Sequence, residues 1–315
     1  AYGRMIRSLL ITLALASPAG AFNLGLPLRC DLGKTCYIQQ YIDHDTGPKA
    51  ADFTCGSLSY DGHDGTDLAL PTRAAMQAGV DVLAAQAGTV KGLRDGVADF
   101  APKLAGKECG NGVLLDHGDR WETQYCHLKQ GSISVRLGEV LAQGDVLGQV
   151  GQSGMADFPH LHLALRHNGV TVDPFAPDPL ATCGPQTASL WQETLPYVAG
   201  GLLQIGIATA VPDYAAIKAG LQSRDLPQTA PALVLWAYFY GVKPGDAILF
   251  ELTGPAGHVL QERSVIEKSQ ALGFRATGRR LKTKAWPQGH YEGTARLMRG
   301  ATELGRQSLG LELTP

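Results

Sequence analysis

Residues 160–165 place leucine at every second position, and this alternation constrains the fold more than any other part of the chain. Side chains two positions apart point to the same face of a β-strand, so His160 and His162 would lie side by side while the leucines point into a core. A histidine pair is costly to bury without partners, and a metal ion or an active-site cleft would account for it. The segment therefore predicts a strand with polar chemistry on one face.

The segment 62–70 holds a second candidate pair, His63 and Asp67. Their spacing would suit one face of a helix, but Gly65 between them favours a turn that leads into a strand at Asp67. Taken alone, such a pair is more typical of a surface turn. Asp64 is a competing carboxylate, which we expect to face away. Two neutral imidazoles and one carboxylate are a common catalytic zinc set that leaves a fourth position for water.

Residues 121–128 predict a third strand, in which His127 shares a face with Tyr125 and Cys126 points to the opposite face. A nucleophile and its base must reach hydrogen-bond distance. A Cys–His dyad from these two neighbours is therefore not expected.

The cysteines suggest disulfides rather than metal-binding thiolates. An even set is typical of an exported chain, and no C-x-x-C pair occurs in the sequence. Predicted strands at 112–117 and 121–127 form a hairpin that would bring Cys109 near Cys126. The sequence leaves the other pairings open. The six cysteines are Cys30, Cys36, Cys55, Cys109, Cys126 and Cys183.

Residues 1–21 predict a cleaved signal peptide, with Met5 as the natural start and Arg7 as the charged region. The apolar run 9–16 is followed by an A-x-A pattern before residue 22. A membrane anchor is the alternative, but it needs about 20 apolar residues, and Pro18 interrupts this run. We therefore expect export to the periplasm or beyond, without stable membrane insertion after cleavage.

Composition favours short strands and argues against one class of partner. The formal net charge is −2 and no basic run occurs, so nucleic acid is not an expected partner. Charged residues make up only 18% of the chain and there are 39 glycines, between which lie short runs of valine, leucine and threonine. This pattern predicts β structure with tight turns.

The length suggests two domains, and the proline-rich segment Pro174–Gln186 reads as the linker between them. Beyond it, the pattern predicts a short helix at 214–222 and then an antiparallel sandwich. We expect His258 and His290 to be surface residues. The strands expected in this half are residues 232–240, 247–252, 258–263, 290–298 and 307–313.

The motifs GHDGTDLAL, ETQYCHLKQG, LGEVLAQGDVLGQVGQSG and PHLHLALRHNG, followed by VDPF, occur in this order over about residues 61–175. Together they resemble the lysostaphin-type (LytM-like) zinc metallopeptidases, which cut peptide cross-links in bacterial peptidoglycan. The resemblance implies one zinc ion per chain. It also implies that His63, Asp67 and His162 are zinc ligands and that His127 and His160 are catalytic residues outside the ligand set.

The resemblance implies a mainly β fold, with a compact antiparallel β-sheet metallopeptidase domain that has an open groove. We expect a smaller, Ig-like β-sandwich domain to follow it. The expected division of the chain is a signal peptide at 1–21, an N-terminal extension at 22–60, the metallopeptidase at 61–185 and the sandwich at 186–315.

The predicted function is a zinc-dependent endopeptidase that acts on the peptide stems of peptidoglycan through a zinc-activated water. Such a site lowers the pKa of its water to about 7. His127 or His160 would stabilise the oxyanion or carry a proton to the leaving amine, and the sequence does not divide the two roles. The alternatives are a non-catalytic member that binds the cell wall or activates an amidase, and a structural zinc protein closed by His117 or His167.

Overall fold

A computed structural model of the chain describes residues 22–103, 105–180, 182–184, 188–223 and 225–315. Strands make up 45% of it and helices 4%, so the predicted mainly β class is confirmed. The predicted signal peptide and Pro185, at the predicted domain boundary, lie outside the described residues. No helix in the described part is long and apolar enough to cross a membrane.

The first half of the chain is dominated by one antiparallel sheet, in the order β1-β2-β9-β6-β5-β4-β7, with β10 paired to β9. A small two-stranded sheet, β3-β8, lies beside it. The elements are β1 (Tyr37–Gln40), β2 (Thr66–Ala69), α1 (Arg73–Ala78), β3 (Asp81–Leu83), β4 (Gly88–Arg94), β5 (Asn111–Asp116), β6 (Trp121–Leu128), β7 (Val140–Leu141), β8 (Val146–Gln149), β9 (His160–His167) and β10 (Val170–Thr171).

The alternation in β9 divides the sheet into two faces. Leu161, Leu163 and Leu165 are almost fully buried and belong to one hydrophobic cluster with Tyr125 of β6. The same cluster includes residues from the 22–60 segment. Burying an aliphatic side chain stabilises a fold by about 1.5–3 kcal/mol, so this face fixes the register of β9 and sends its histidines to the other face.

The predicted hairpin at residues 112–127 is confirmed, as β5 pairs with β6 across a turn at Gly118-Asp119. The predicted Cys109–Cys126 disulfide is also present, with a Cα–Cα distance of 4.8 Å. Two further disulfides, which the sequence left open, join Cys30 to Cys36 and Cys55 to Cys183.

Strand pairing and a buried side-chain pair are among the contacts that join the 22–60 segment to the rest of the first half. Strand β1 pairs with β2, and a buried histidine, His44, lies against Asp173 of the VDPF motif. Both ring nitrogens of His44 face acceptors, with Nδ1 2.8 Å from the Thr182 carbonyl and Nε2 2.9 Å from Asp173 Oδ2. The pair therefore holds a proton between its two buried side chains.

The second half of the chain forms a three-stranded sheet, β11-β13-β16, and a five-stranded sheet, β12-β18-β17-β14-β15. Both sheets contribute to one hydrophobic cluster, which contains Leu235, Phe250 and Leu311. The elements are β11 (Gly201–Ala208), α2 (Tyr214–Ala219), β12 (Leu226–Pro227), β13 (Ala232–Val242), β14 (Ala247–Gly254), β15 (Gly257–Val265), β16 (Gln270–Arg280), β17 (Gly289–Arg299) and β18 (Thr302–Thr314).

All five strands expected in this half are present, and the expected helix is α2, which ends at a left-handed Gly220. Sequence patterns missed β11 and β16. Glycine and polar residues interrupt the apolar pattern in both strands, and each is an edge strand of the three-stranded sheet with β13 at its centre.

The two halves meet through buried aromatic residues. The rings of Tyr37 and Tyr240 lie 4.4 Å apart between centroids, and both side chains are almost fully buried. Gly241 lies against Leu58, where an added Cβ would come within 2.8 Å of Leu58 Cδ2. Ala69 of β2 belongs to the same buried cluster as these two tyrosines. The second half therefore packs directly beside β1 and β2.

Candidate metal centre

Two paired strands bring the predicted ligands together. Strands β2 and β9 are antiparallel, with Asp67 directly opposite His162 and Ala69 opposite His160. Residues directly opposite each other share a face of the sheet, so Asp67 and His162 point the same way. His63 lies in the turn before β2 and completes the group. The side chains of His63 and Asp67 are almost entirely buried, and that of His162 is slightly exposed.

The three side chains form a triangle with one atom each. His63 Nε2 lies 3.2 Å from Asp67 Oδ1 and 3.2 Å from His162 Nδ1, and His162 Nδ1 lies 2.9 Å from Asp67 Oδ1. Ligand atoms about 2.0–2.2 Å from a tetrahedral zinc ion are about 3.3 Å from one another. Among the described residues this is the group of histidine, cysteine and acidic side chains with a spacing that suits a metal ion.

The hydrogen bonds around the triangle leave lone pairs directed at its centre. His63 Nδ1 must donate to the Tyr41 carbonyl, 2.7 Å away, so its Nε2 carries a lone pair. His162 Nε2 lies 3.3 Å from Asp64 Oδ1 and donates to it, which leaves Nδ1 as an acceptor in the neutral ring. Three acceptors that converge repel one another unless a cation lies between them. The donor set fits a metal ion.

The two carboxylates beside His162 favour a positive charge on its ring. Burial lowers the pKa of His162, but hydrogen bonds to Asp64 and Asp67 outweigh this effect and raise the pKa to about 9. Burial would raise the pKa of Asp67, yet the facing histidines hold it well below its usual value. The carboxylate is therefore ionised, as a metal ligand must be.

His127 and His160 lie beside the triangle, with their ring centroids 4.6 Å apart. His160 Nδ1 donates to the Phe158 carbonyl and His127 Nδ1 donates to the Ser153 carbonyl, each over 2.8 Å. Burial lowers the pKa of both rings, that of His127 well below its usual value. Both rings are therefore neutral near pH 7, and each presents Nε2 as a proton acceptor.

The position of His127 differs from the sequence expectation, which placed it on the same face as Tyr125. Strand β6 bulges at His127, since Cys126 pairs with Gly112 and the next paired residue is Leu128. The φ angle of His127 is +65°, and this left-handed residue turns its ring to the face of His160. Cys126 is in a disulfide with Cys109 and so offers no free thiol for a Cys–His dyad.

The expectation that Asp64 faces away was wrong. Asp64 lies in the irregular turn before β2, so the strand alternation does not apply to it. Its Oδ1 lies beside Nε2 of His162, and its Oδ2 lies 3.5 Å from an Arg166 guanidinium nitrogen. Asp64 thus contacts His162 on the ring nitrogen that does not belong to the triangle.

Two aromatic residues that sequence reasoning missed flank the centre. The Tyr60 ring lies 4.5 Å from the ring of His63, and the Phe158 ring lies 4.3 Å from the ring of His160. Half of Tyr60 is exposed, so it borders the open side of the site. Their only sequence signal was an aromatic residue two or three positions before a site histidine.

The remaining histidines have other partners. His117 contacts the Ala87 carbonyl and the Thr123 hydroxyl, and His167 stacks on Trp121. In the described ranges no fourth protein ligand joins the triangle, which disfavours a closed structural zinc site. His258 and His290 are exposed, as expected.

Part of the chain is similar in sequence to known peptidases. Residues 61–174 match peptidase family M23. The chain is 37% identical over 99 residues to the DD-carboxypeptidase/endopeptidase Mpg of Neisseria meningitidis, an alignment that covers 31% of this chain and 22% of that protein. It is 32% identical over 111 residues to the peptidoglycan DD-endopeptidase ShyA of Vibrio cholerae, with 35% and 22% covered.

The chain therefore spans about a fifth of the length of these relatives. Among solved structures, the catalytic domain of the prophage-encoded M23 protein EnpA of Enterococcus faecalis is 24% identical, with a TM-score of 0.31. That alignment covers 44% of this chain and 88% of the EnpA catalytic-domain chain.

Proposed function

Because residues 61–174 match peptidase family M23, we propose that this protein is a zinc-dependent endopeptidase that hydrolyses peptide cross-links of bacterial peptidoglycan. One observation carries the proposal, namely that His63, Asp67 and His162 each place one ligand atom within 4.8 Å of the other two. Two nitrogens and one carboxylate oxygen suit zinc, and three protein ligands leave a position for the reaction.

We assign the ligand role to that triangle and the catalytic role to His127 and His160. A zinc ion held there would supply Lewis acidity, which lowers the pKa of water to about 7 and polarises a peptide carbonyl. The two neutral rings are held by backbone carbonyls through Nδ1, so their Nε2 atoms keep a fixed direction. Each Nε2 can accept a proton from the attacking water and deliver it to the leaving amine.

The proposed organisation of the chain keeps a metallopeptidase unit at 61–185 and a sandwich at 186–315. Their separate hydrophobic clusters support two units, and the first cluster also contains Trp191 from beyond the proposed boundary. The 22–60 extension packs into the first unit, since Leu24 and Tyr41 belong to its cluster. Three disulfides are consistent with export, and we propose that the protein works in the periplasm or outside the cell.

Digestion of purified peptidoglycan tests the proposal. The full chain, with one zinc per chain by elemental analysis, should release peptide-cleaved fragments that mass spectrometry identifies. A chelator should stop the release and added Zn²⁺ should restore it. His162→Ala should lose both the metal and the activity. A protein that binds the cell wall yet releases no fragment would instead support the non-catalytic alternative.

A further inference from the structure

Asp64 lies on the opposite side of His162 from the metal triangle. Its Oδ1 is 3.3 Å from Nε2 of His162, whereas Nδ1 of the same ring points at Asp67. From this geometry we propose that Asp64 is a positioning residue that orients His162 and strengthens it as a metal ligand. The inference rests on the proposed metal site.

A second contact holds Asp64 in place. Its Oδ2 faces Arg166, whose other guanidinium nitrogen donates to Gln124 Oε1 over 2.9 Å. Arg166 lies on β9 four residues after His162, so both side chains project from the same face. The two carboxylate oxygens of Asp64 are therefore divided between the imidazole and a strand-anchored guanidinium. Such a division fixes the direction from which Asp64 meets the ring.

The residue after Asp64 confines the same ring. A Cβ added to Gly65 would lie 2.5 Å from both Cε1 and Nε2 of His162, so only glycine allows the turn to approach this closely. The turn thus contacts the imidazole with its backbone at Gly65 and with a carboxylate at Asp64. This double contact distinguishes Asp64 from an incidental surface ion pair, which contributes only about 0–1 kcal/mol.

The chemistry of such a contact is general. A carboxylate that accepts the second N–H of a metal-bound histidine selects the tautomer, fixes the ring and increases the basicity of the ligating nitrogen. Loss of such a partner lowers metal affinity or activity about 10–100-fold. In this chain the carboxylate comes from the position directly after His63, so one turn supplies a ligand and the support for another.

Zinc affinity of the full chain tests the inference, measured by competition with a chromophoric chelator. Asp64→Ala should weaken Zn²⁺ binding about 10–100-fold. Asp64→Asn keeps an oxygen acceptor without the charge, so its Zn²⁺ affinity should be intermediate between those of Asp64→Ala and the wild type. Asp61→Ala, an exposed aspartate in the same turn, is the matched control and should bind Zn²⁺ as the wild type does.

Cobalt substitution provides a second measurement. The visible spectrum of bound Co²⁺ reports ligand geometry, and it should change in Asp64→Ala but not in Asp61→Ala. Circular dichroism checks that each variant is folded. If Asp64→Ala does not fold, the nearly isosteric Asp64→Asn decides the result.

The wild-type protein separates the two proposals. A wild type that binds no Zn²⁺ would refute the metal site and this inference together. Tight wild-type binding with unchanged affinity and an unchanged Co²⁺ spectrum in the Asp64 variants would refute the role of Asp64 alone.

Discussion

The three disulfides close loops of very different length, which makes them an internal test of how cross-links stabilise this fold. The joined cysteines are 6, 17 and 128 residues apart for Cys30–Cys36, Cys109–Cys126 and Cys55–Cys183. The loop-closure entropy removed from the unfolded chain corresponds to about 2, 3 and 5 kcal/mol, respectively, at 25 °C. Replacing each pair with two alanines should therefore destabilise the protein in that order.

Urea denaturation followed by circular dichroism measures the effect, with all three double variants compared under the same conditions. The Cys30–Cys36 variant is the internal control because its loop is the shortest. The entropic reasoning is refuted if loss of Cys55–Cys183 costs no more free energy of unfolding than loss of Cys30–Cys36.

The Cys109–Cys126 bridge should also affect catalysis. The backbone N–H of His127 donates to the Cys109 carbonyl over 2.8 Å. The disulfide therefore holds in place the carbonyl that accepts a hydrogen bond from the bulge at His127. We expect this double variant to lose activity under conditions where it is still folded, while the Cys30–Cys36 variant keeps it. Equal activities in the two variants would show that the bulge does not depend on the bridge.

Three further predictions follow from single contacts. His160→Ala should keep its zinc but lose about 10²–10⁴-fold in rate, as is usual for a general acid or base; loss of the metal would make it a ligand. His44→Ala leaves the Asp173 carboxylate buried without its partner and should cost about 3–5 kcal/mol. Burial lowers the pKa of His44, but the hydrogen bond to Asp173 outweighs burial and raises the pKa overall. The stabilisation from His44 is therefore complete below about pH 6.5 and should be lost as the pH rises through the raised pKa. Urea denaturation at a series of pH values would contradict this if the wild type lost no more free energy of unfolding over that range than His44→Ala. Gly241 and Gly245 both have positive φ, so alanine at either position should cost about 1–3 kcal/mol of backbone strain. Gly241→Ala should destabilise the protein more than Gly245→Ala, because only at position 241 would the new Cβ press against Leu58.

Local sequence patterns predicted the parts of this molecule that depend on neighbours along the chain. The β5–β6 hairpin and the Cys109–Cys126 bridge follow from one turn and two alternating strands. The Cys55–Cys183 bridge joins residues 128 positions apart, and no local pattern brings these residues together. The strand alternation also predicted that His160 and His162 share a face, because β9 is regular over that stretch.

The two errors at the site have one physical cause. Alternation assigns a face only while the backbone remains extended, and His127 and Asp64 lie where it does not. His127 is on a bulge with positive φ, and Asp64 is in an irregular turn. Both deviations direct a side chain toward the histidine cluster. The resemblance to a family named His127 as a site residue, and the structure places its ring beside that of His160 and not on the face that the periodic pattern gave.

The candidate metal centre is assembled from more of the chain than its sequence motifs indicate. The Tyr41 carbonyl, in the 22–60 extension, holds the Nδ1 proton of His63 and so directs Nε2 toward the triangle. This contact is made by a backbone atom, so the identity of residue 41 carries no motif for it. That carbonyl directly follows strand β1, which pairs with β2. Tyr37, at the start of β1, packs against Tyr240 of the second half. The orientation of His63 therefore depends on two segments outside the sequence motifs, the 22–60 extension and the second half of the chain.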